Sequence, residues 1–124
     1  MAYIIITNNI KVKEKYEETY FIDGLSKDVL IKVRDLIHQG YELISHPLPA
    51  SIKIMSSPFR SIVITKEKKP TIDPLQWEVI ENSIMKLRRY IKLNGIDSRH
   101  EDDYKKLDYL FLESALEEFN NLIC

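Results

Sequence analysis

The clearest candidate for acid–base chemistry in this 124-residue sequence is His46. It directly follows the apolar run at residues 41–45, and Pro47 restricts the backbone after it. Histidine changes its charge near neutral pH, so His46 is a candidate general acid or base, or a ligand for an anion. The other two histidines, His38 and His100, have no metal-ligand spacing with it. We therefore predict no metal site.

The loop after His46 combines hydroxyl groups with cations. Residues 47–58 contain three prolines and three serines, and Ser51, Lys53 and Arg60 suit a phosphate or carboxylate because arginine binds such groups through two parallel hydrogen bonds. The chain has no G-x-G-x-x-G and no Walker A sequence, and it has no nucleophile elbow. The predicted ligand is thus a small anion, and no cofactor is expected.

Further polar residues follow another short apolar run. Asn8 and Asn9 come directly after residues 3–7, and ligands bind beyond the carboxyl ends of strands in open parallel sheets. Asparagine is also a common turn former and helix cap. These two residues therefore have a structural and a ligand-binding interpretation.

Short apolar runs alternate with helical patterns along the chain. The predicted strands are residues 3–7, 19–23, 41–45 and 61–65, and the predicted helices are residues 9–16, 26–39, 74–93 and 103–122. This alternation predicts one α/β domain over residues 1–124, with a small, mostly parallel four-stranded sheet, helices on both faces and a helical C-terminal half. The third and fourth strands are joined by about a dozen residues without a helical pattern, near the minimum for a parallel crossover. Strand four could instead run antiparallel, or residues 51–55 could add a small strand.

Composition excludes several classes of protein. The chain has 18 basic and 19 acidic side chains and a formal charge of −1, whereas a nucleic-acid binder usually shows a basic excess. Its single cysteine, Cys124, excludes an intrachain disulfide and favours a reducing compartment. No apolar run approaches the roughly 20 residues of a membrane span, and the N-terminus has no signal-peptide pattern. We therefore expect a cytoplasmic protein without membrane or nucleic-acid partners.

Several short motifs together match one known family. They are Thr-Asn-Asn (7–9), Asp-Val-Leu (28–30), Val-Arg-Asp-Leu-Ile-His (33–38), His-Pro-Leu (46–48), Ser-Ile-Lys (51–53) and Ile-Glu-Asn-Ser-Ile (80–84). Through these motifs the sequence resembles the GrdX family, whose members are encoded with the selenium-dependent glycine reductase system of amino-acid-fermenting anaerobes. Ala50 departs from the family pattern, since a glycine is expected near this position.

The resemblance implies an accessory protein of glycine, sarcosine or betaine reduction rather than a known catalyst. It implies that the matched polar residues form the site: Asn8, Asn9, His46, Ser51, Lys53 and Ser61. With Arg60 they are the predicted ligand-binding residues, for a small anionic metabolite or for a partner subunit of glycine reductase. The alternative is a small enzyme that uses His46 as general acid or base. Oligomeric state is left open.

Overall fold

The sheet has three strands of mixed direction. The computed structural model describes residues 2–123, with side chains through residue 121, so Cys124 lies outside the described residues. Its strands are β1 (Tyr3–Thr7), β2 (Thr19–Phe21) and β3 (Ser61–Thr65), in the order β2-β1-β3. β1 is parallel to β2 and antiparallel to β3. The α/β class and the helical C-terminal half are confirmed, but the prediction of a four-stranded, mostly parallel sheet is wrong.

The missing strand is the predicted third one, residues 41–45. This segment lies along the outer edge of β3 and makes a single antiparallel bridge, between Leu43 and Ile64. On both sides of the bridge, hydroxyl oxygens replace backbone carbonyls as acceptors: Glu42 N–H donates to Thr65 Oγ1 at 3.0 Å, and Val63 N–H donates to Ser45 Oγ at 2.9 Å. Three backbone hydrogen bonds also join the segment to β3, from Ile44 and Ser45 N–H to the Val63 carbonyl and from Thr65 N–H to the Glu42 carbonyl. This mixture of side-chain and backbone acceptors gives a single bridge rather than a regular ladder.

The direction of β3 follows from the loop before it. Residues 46–60 contain only a short 3₁₀ helix, Ile52–Ile54, and no crossover helix. A parallel connection needs a dozen or more residues that pack back across the sheet. This loop instead turns the chain round, so β3 returns antiparallel to residues 41–45 and inserts between that segment and β1.

Four helices cover the sheet. They are α1 (Ile10–Lys15), α2 (Ser26–His38), α3 (Pro74–Asn94) and α4 (Glu101–Ile123). The side chain of Asp73 caps α3 by accepting from Leu75 N–H. After α2, Gly40 adopts φ +111°, and a Cβ there would collide with the carbonyl oxygen of Lys69. Only glycine fits this turn without displacing the backbone.

The helices bury the two faces of the sheet separately. On one face, Ile6, Ile62 and Ile64 pack with apolar residues of α2 and α3. On the other face, Ile5 and Val63 pack with residues of α1 and α4. Neighbouring strand residues thus belong to different cores, as expected for a sheet buried on both sides.

Helix α4 turns a different face inward from the one that its apolar residues predict. Leu107, Leu110, Phe111 and Ser114 were expected to face the core, but all four are exposed. The buried positions are Asp108, Leu112 and Leu116. Spacing of four residues places these three on one helix face, and the charge of Asp108 hides that face from a hydrophobicity pattern.

A polar cluster joins α3 to α4 and fixes the loop beneath them. Asp97 N–H donates to the carbonyl oxygen of Ser56 at 2.9 Å. The Asp97 carboxylate contacts His100 Nδ1 at 3.0 Å, accepts from Arg99 N–H at 3.0 Å and accepts from Tyr104 O–H at 3.1 Å. These contacts hold the pKa of Asp97 well below its ordinary value, and the hydrogen bond with His100 has the largest effect.

We expect this cluster to contribute fully to stability only at pH values above the range in which carboxyl groups ordinarily titrate. A depressed folded-state pKa stabilises the fold when the group is ionised in both states, and this contribution is lost as pH falls below the unfolded value of 3.8. Asp97→Asn should therefore lower the melting temperature at neutral pH and lower it by a smaller amount near pH 2, where part of the stabilisation has been lost. Thermal unfolding across this pH range, with Asp102→Asn as an exposed control, measures the difference. An equal loss at both pH values would contradict the assignment.

Candidate functional site

The carboxyl end of β1 and the start of β3 meet at one edge of the sheet, because the two strands are antiparallel. This arrangement brings together Asn8, Asn9, Arg60 and Ser61, which sequence patterns and the family resemblance selected. His46 reaches the same edge because residues 41–45 run antiparallel to β3. Ser51 and Lys53 lie elsewhere, on the outer part of the loop. Five of the seven predicted site residues thus share one region.

Asn8 joins three separate parts of the chain. Its Nδ2 donates to the carbonyl oxygens of Gly24 at 2.9 Å and Pro58 at 2.7 Å, and its Oδ1 accepts from Arg60 N–H at 2.9 Å. The side chain is buried and all of these partners are backbone groups. Asn8 therefore positions the loop ahead of β3.

A directed chain of hydrogen bonds runs from α1 to α4. Asn9 N–H donates to Thr7 Oγ1 at 3.0 Å, and the two hydroxyl oxygens of Thr7 and Ser61 lie 2.7 Å apart. Ser61 O–H donates to Asp108 Oδ2 at 2.6 Å. Since the Ser61 proton points to the carboxylate, Thr7 O–H must donate to Ser61 Oγ. Each hydroxyl in the chain is used as donor and acceptor.

Asp108 is the acceptor at the end of this chain, and sequence analysis did not select it. Its side chain is only 4% exposed and accepts three hydrogen bonds, from Ser61 N–H, Ser61 O–H and Asn9 Nδ2. Asn9 Nδ2 also donates to the carbonyl oxygen of Lys105 at 2.9 Å. The signal for Asp108 in the sequence is its place four and eight residues before Leu112 and Leu116. A carboxylate on that apolar line indicates a buried polar partner.

Arg60 is the buried cation beside Asp108. Its Nε donates to the carbonyl oxygen of Pro47 at 2.8 Å, and its Nη2 donates to those of His46 at 2.7 Å and Leu48 at 3.3 Å. The third nitrogen, Nη1, lies 3.8 Å from Asp108 Oδ1 and donates no hydrogen bond within the described residues. Burial lowers the pKa of the Arg60 guanidinium, and the Asp108 charge opposes that shift.

His46, Ser51 and Lys53 have local roles in the structure. His46 is exposed, and its Nδ1 accepts from Leu48 N–H at 3.0 Å, which places any single ring proton on Nε2. Ser51 caps the 3₁₀ helix by accepting from Lys53 N–H at 3.3 Å. The Lys53 side chain is exposed. A ligand-binding role for these three residues stays a prediction.

A groove opens beside these residues, between residues 45–50 and α4. Its volume is about 270 Å³, and a neighbouring cavity of about 230 Å³ shares several of its lining residues. Arg60 and Ser61 line the groove from the sheet edge, His46 from the loop, and Ser114 and Glu118 from α4. We call this space the α4 groove. Its size suits a small molecule rather than a chain.

Behind Arg60 lies a smaller, partly open cavity of about 10 Å³, which is the size of one water molecule. Ser26, Ser57 and Asp108 contribute polar atoms to its lining. Helix-cap preferences predict Ser26 as the cap of α2, but Ser26 is the first residue of the helix, and its Oγ has no hydrogen-bond partner within the described residues. The exposed start of α2 is held instead by Asp28, which accepts from Leu25 N–H at 2.8 Å.

Ser26→Ala should leave the free energy of unfolding unchanged or raise it by up to about 1 kcal/mol, because it removes a buried hydroxyl that lacks a partner. The matched control is Ser57→Ala. Ser57 is equally buried, but its Oγ accepts from Phe59 N–H at 3.1 Å, so its loss should cost about 1 kcal/mol. Chemical denaturation of both variants provides the comparison. A cost above about 1 kcal/mol for Ser26→Ala would contradict the unpartnered state.

Two other classes of site are absent from the described part of the chain. Residues 2–123 contain no group of three or more His, Cys, Asp or Glu side chains placed to hold a metal ion. Over the same residues, no helix has both the length and the apolar character needed to cross a bilayer. The candidate site is therefore built from the α4 groove and the polar residues behind it.

Comparison with known proteins identifies the family. The model of the family described as GrdX-like protein matches residues 4–117, which is nearly the whole chain. The chain belongs to the GrdX-like family. This confirms the resemblance carried by the motifs between residues 7 and 84, and extends it through most of α4, including Asp108. No curated protein and no solved structure matches the chain.

Proposed function

We propose that this GrdX-like chain is a non-catalytic accessory protein of the glycine reductase system that binds a small carboxylate-bearing metabolite in the α4 groove. The observation that carries the proposal is the buried Arg60 guanidinium. Three backbone carbonyls orient it, while Nη1 donates no hydrogen bond within the described residues. Family membership supports the link to glycine reductase.

The orientation of Arg60 favours binding. An arginine side chain normally loses rotamer freedom when it binds a ligand, and this cost reduces affinity. Here the contacts to residues 46–48 have already restricted the side chain, which is 12% exposed. A carboxylate that reaches Nη1 would therefore meet a fixed, charged donor in a poorly solvated place.

The charges around the groove favour a zwitterion over a polyanion. Asp108 lies beside Arg60, and Glu118 lines the groove from α4. Lys53, which the anionic-ligand hypothesis requires, does not line it. A molecule with one carboxylate for Arg60 and one cationic nitrogen for Glu118 fits this arrangement. Glycine, sarcosine and betaine have this chemistry, and they are the substrates that the family context suggests.

Thermal-shift and calorimetric titrations with glycine, sarcosine, betaine and acetyl phosphate test the proposal. A ligand at about 100 times its dissociation constant should add about 2.7 kcal/mol of stability. Ser114→Leu narrows the groove from exposed α4 and should abolish the shift, whereas Asn82→Leu, equally exposed on α3, should retain it. A shift that survives Ser114→Leu would place binding outside the groove.

The accessory role has a second form, in which a glycine reductase subunit binds to the surface around the mouth of the α4 groove. Purified subunits can be titrated against the chain, again with Ser114→Leu and Asn82→Leu. Binding that Ser114→Leu removes would support a protein partner at this site. If neither the metabolites nor the subunits bind, the proposed function is wrong.

The enzyme hypothesis depends on His46. The imidazole lines the groove and its Nδ1 is engaged by Leu48 N–H, so Nε2 is the nitrogen left for a substrate. General acid–base catalysis through Nε2 would give a pH-dependent rate that His46→Ala removes. Any turnover that the purified chain shows with these metabolites should be measured in both proteins. Turnover that His46→Ala leaves unchanged would reject this hypothesis.

A further inference from the structure

The second half of α3 carries a concentrated positive charge. Lys86, Arg88, Arg89 and Lys92 lie within seven residues, and no acidic residue occurs between positions 85 and 94. Within the described residues none of the four takes part in an ion pair. Four unpaired cations on one short segment indicate a surface that meets negative charge elsewhere.

An apolar groove of about 260 Å³ lies beside these cations. Tyr90 and Leu93 of α3 line one side, and Ile52 of the 3₁₀ helix lines the other. Leu93 is 78% exposed and Ile52 is 67% exposed. With Lys86 and Arg89 at its rim, we call this surface the basic groove. Together with Tyr90 and Leu48 these two aliphatic side chains form a contiguous apolar surface, which is the kind of surface that marks an interaction site.

The outer face of α4 has the opposite charge. Leu107, Leu110 and Phe111 are exposed there. Asp103 and Glu117 lie on the same face, because positions 103, 107, 110, 114 and 117 follow helical steps of four and three residues. Neither acid forms an ion pair within the described residues. We call this face the acidic stripe.

The two surfaces flank the same loop. Leu48 lines both the basic groove and the small cavity behind Arg60, and Phe111 of the acidic stripe also lines that cavity. Residues 47–60 thus separate a basic apolar surface from an acidic apolar one. A patch whose halves complement each other in this way can pair with a copy of itself across a two-fold axis.

We propose that two copies of this chain form a symmetric dimer in which the acidic stripe of each copy packs on the basic groove of the other. Each ion contact is then made twice, and the exposed leucines of α4 cover Leu93 and Ile52. The formal charge of −1 offers little long-range repulsion between copies. The occupant is a second copy because the chain itself supplies the acidic, apolar helix that the basic groove fits.

Sedimentation velocity over a range of concentrations measures the association directly. The wild-type chain should dimerise, and more weakly as salt is raised, because exposed ion pairs are screened. Lys86→Glu/Arg89→Glu should weaken dimerisation by at least about tenfold, and so should Asp103→Lys/Glu117→Lys. The matched control, Lys11→Glu/Lys27→Glu, makes the same charge change at two exposed positions outside both surfaces and should leave dimerisation unchanged.

Mixing the two charge-reversed proteins is the decisive experiment. In the mixed dimer, the new lysines on the acidic stripe of one copy meet the new glutamates at the basic groove of the other. The second pair of surfaces keeps its natural charges, so association should recover to near the wild-type level. Circular dichroism of each variant confirms that both are folded. A chain that stays monomeric at all concentrations would overturn the proposal. So would a dimer that the reversals do not weaken, or a mixture that does not recover.

Discussion

Asp108→Ala should lower the free energy of unfolding by about 3–5 kcal/mol, which is the usual cost of removing one member of a buried charge pair. The substitution leaves the Arg60 guanidinium without its countercharge 3.8 Å away. It also leaves Ser61 N–H, Ser61 O–H and Asn9 Nδ2 without their acceptor. Chemical denaturation followed by circular dichroism measures the loss.

Two controls separate charge from hydrogen bonding at this position. Asp108→Asn keeps one carbonyl oxygen as acceptor but removes the charge, so its cost should lie below that of alanine. Asp102→Ala removes an exposed carboxylate from the same helix and should change stability by less than about 0.5 kcal/mol. If Asp108→Ala cost no more than Asp102→Ala, the buried network would contribute nothing to the fold.

The second large effect is expected at Asn8. Asn8→Ala removes one acceptor and two donations, and it leaves Arg60 N–H and the carbonyl oxygens of Gly24 and Pro58 without partners. Each buried group left unpaired costs about 1–3 kcal/mol, and partial relaxation makes a total of about 2–4 kcal/mol reasonable. The denaturant midpoint should fall accordingly.

Asn8→Asp tests which atoms matter. Aspartate keeps the oxygen that accepts from Arg60 N–H, but it cannot donate to Gly24 and Pro58, and its charge would face their carbonyl oxygens. Its cost should therefore approach that of alanine. Asn82→Ala, on the exposed face of α3, serves as the control. A stable Asn8→Asp variant would show that the two donations are dispensable.

Periodicity predicted most helices because their apolar stripes face the core. Ile80, Ile84 and Leu87 are buried at the predicted spacing in α3. The same spacing predicts a buried Trp77, but Trp77 is 43% exposed and packs on the ring of His38, with centroids 4.2 Å apart. The apolar spacing therefore predicted the helix correctly, but it predicted wrongly that Trp77 is buried.

The third predicted strand shows the limit of local patterns. Residues 41–45 have the composition of a strand and lie against β3. However, the hydroxyls of Thr65 and Ser45 accept from the backbone N–H groups of Glu42 and Val63, which are two of the donors that a regular ladder would use. Whether a backbone N–H bonds to a side chain or to a backbone carbonyl depends on which residues face each other between this segment and β3. That pairing is a tertiary property and is not visible in either segment alone.

The candidate site was predicted in part for a similar reason. Polar residues at the ends of apolar runs indicated Asn8, Asn9 and His46, which lie at the same edge of the sheet, and their role in ligand binding stays a prediction. Asp108 was missed because it lies 47 residues after Ser61 in the chain, and no local rule joins a helical carboxylate to that serine. Only the fold shows that Asn9, Ser61 and this acid form one network.

The separate burial of the two sheet faces has a consequence for hydrogen exchange. Helix α4 packs on the sheet through a small core shared with α1, whereas α2 and α3 belong to the larger one. Regions held by fewer buried contacts open more often than the whole molecule unfolds. The amides of α1 and α4 should therefore exchange as one unit, sooner than those of α2 and β1. Because Asp108 is part of α4, each detachment of α4 from the sheet would also expose Arg60 to solvent and remove one wall of the α4 groove.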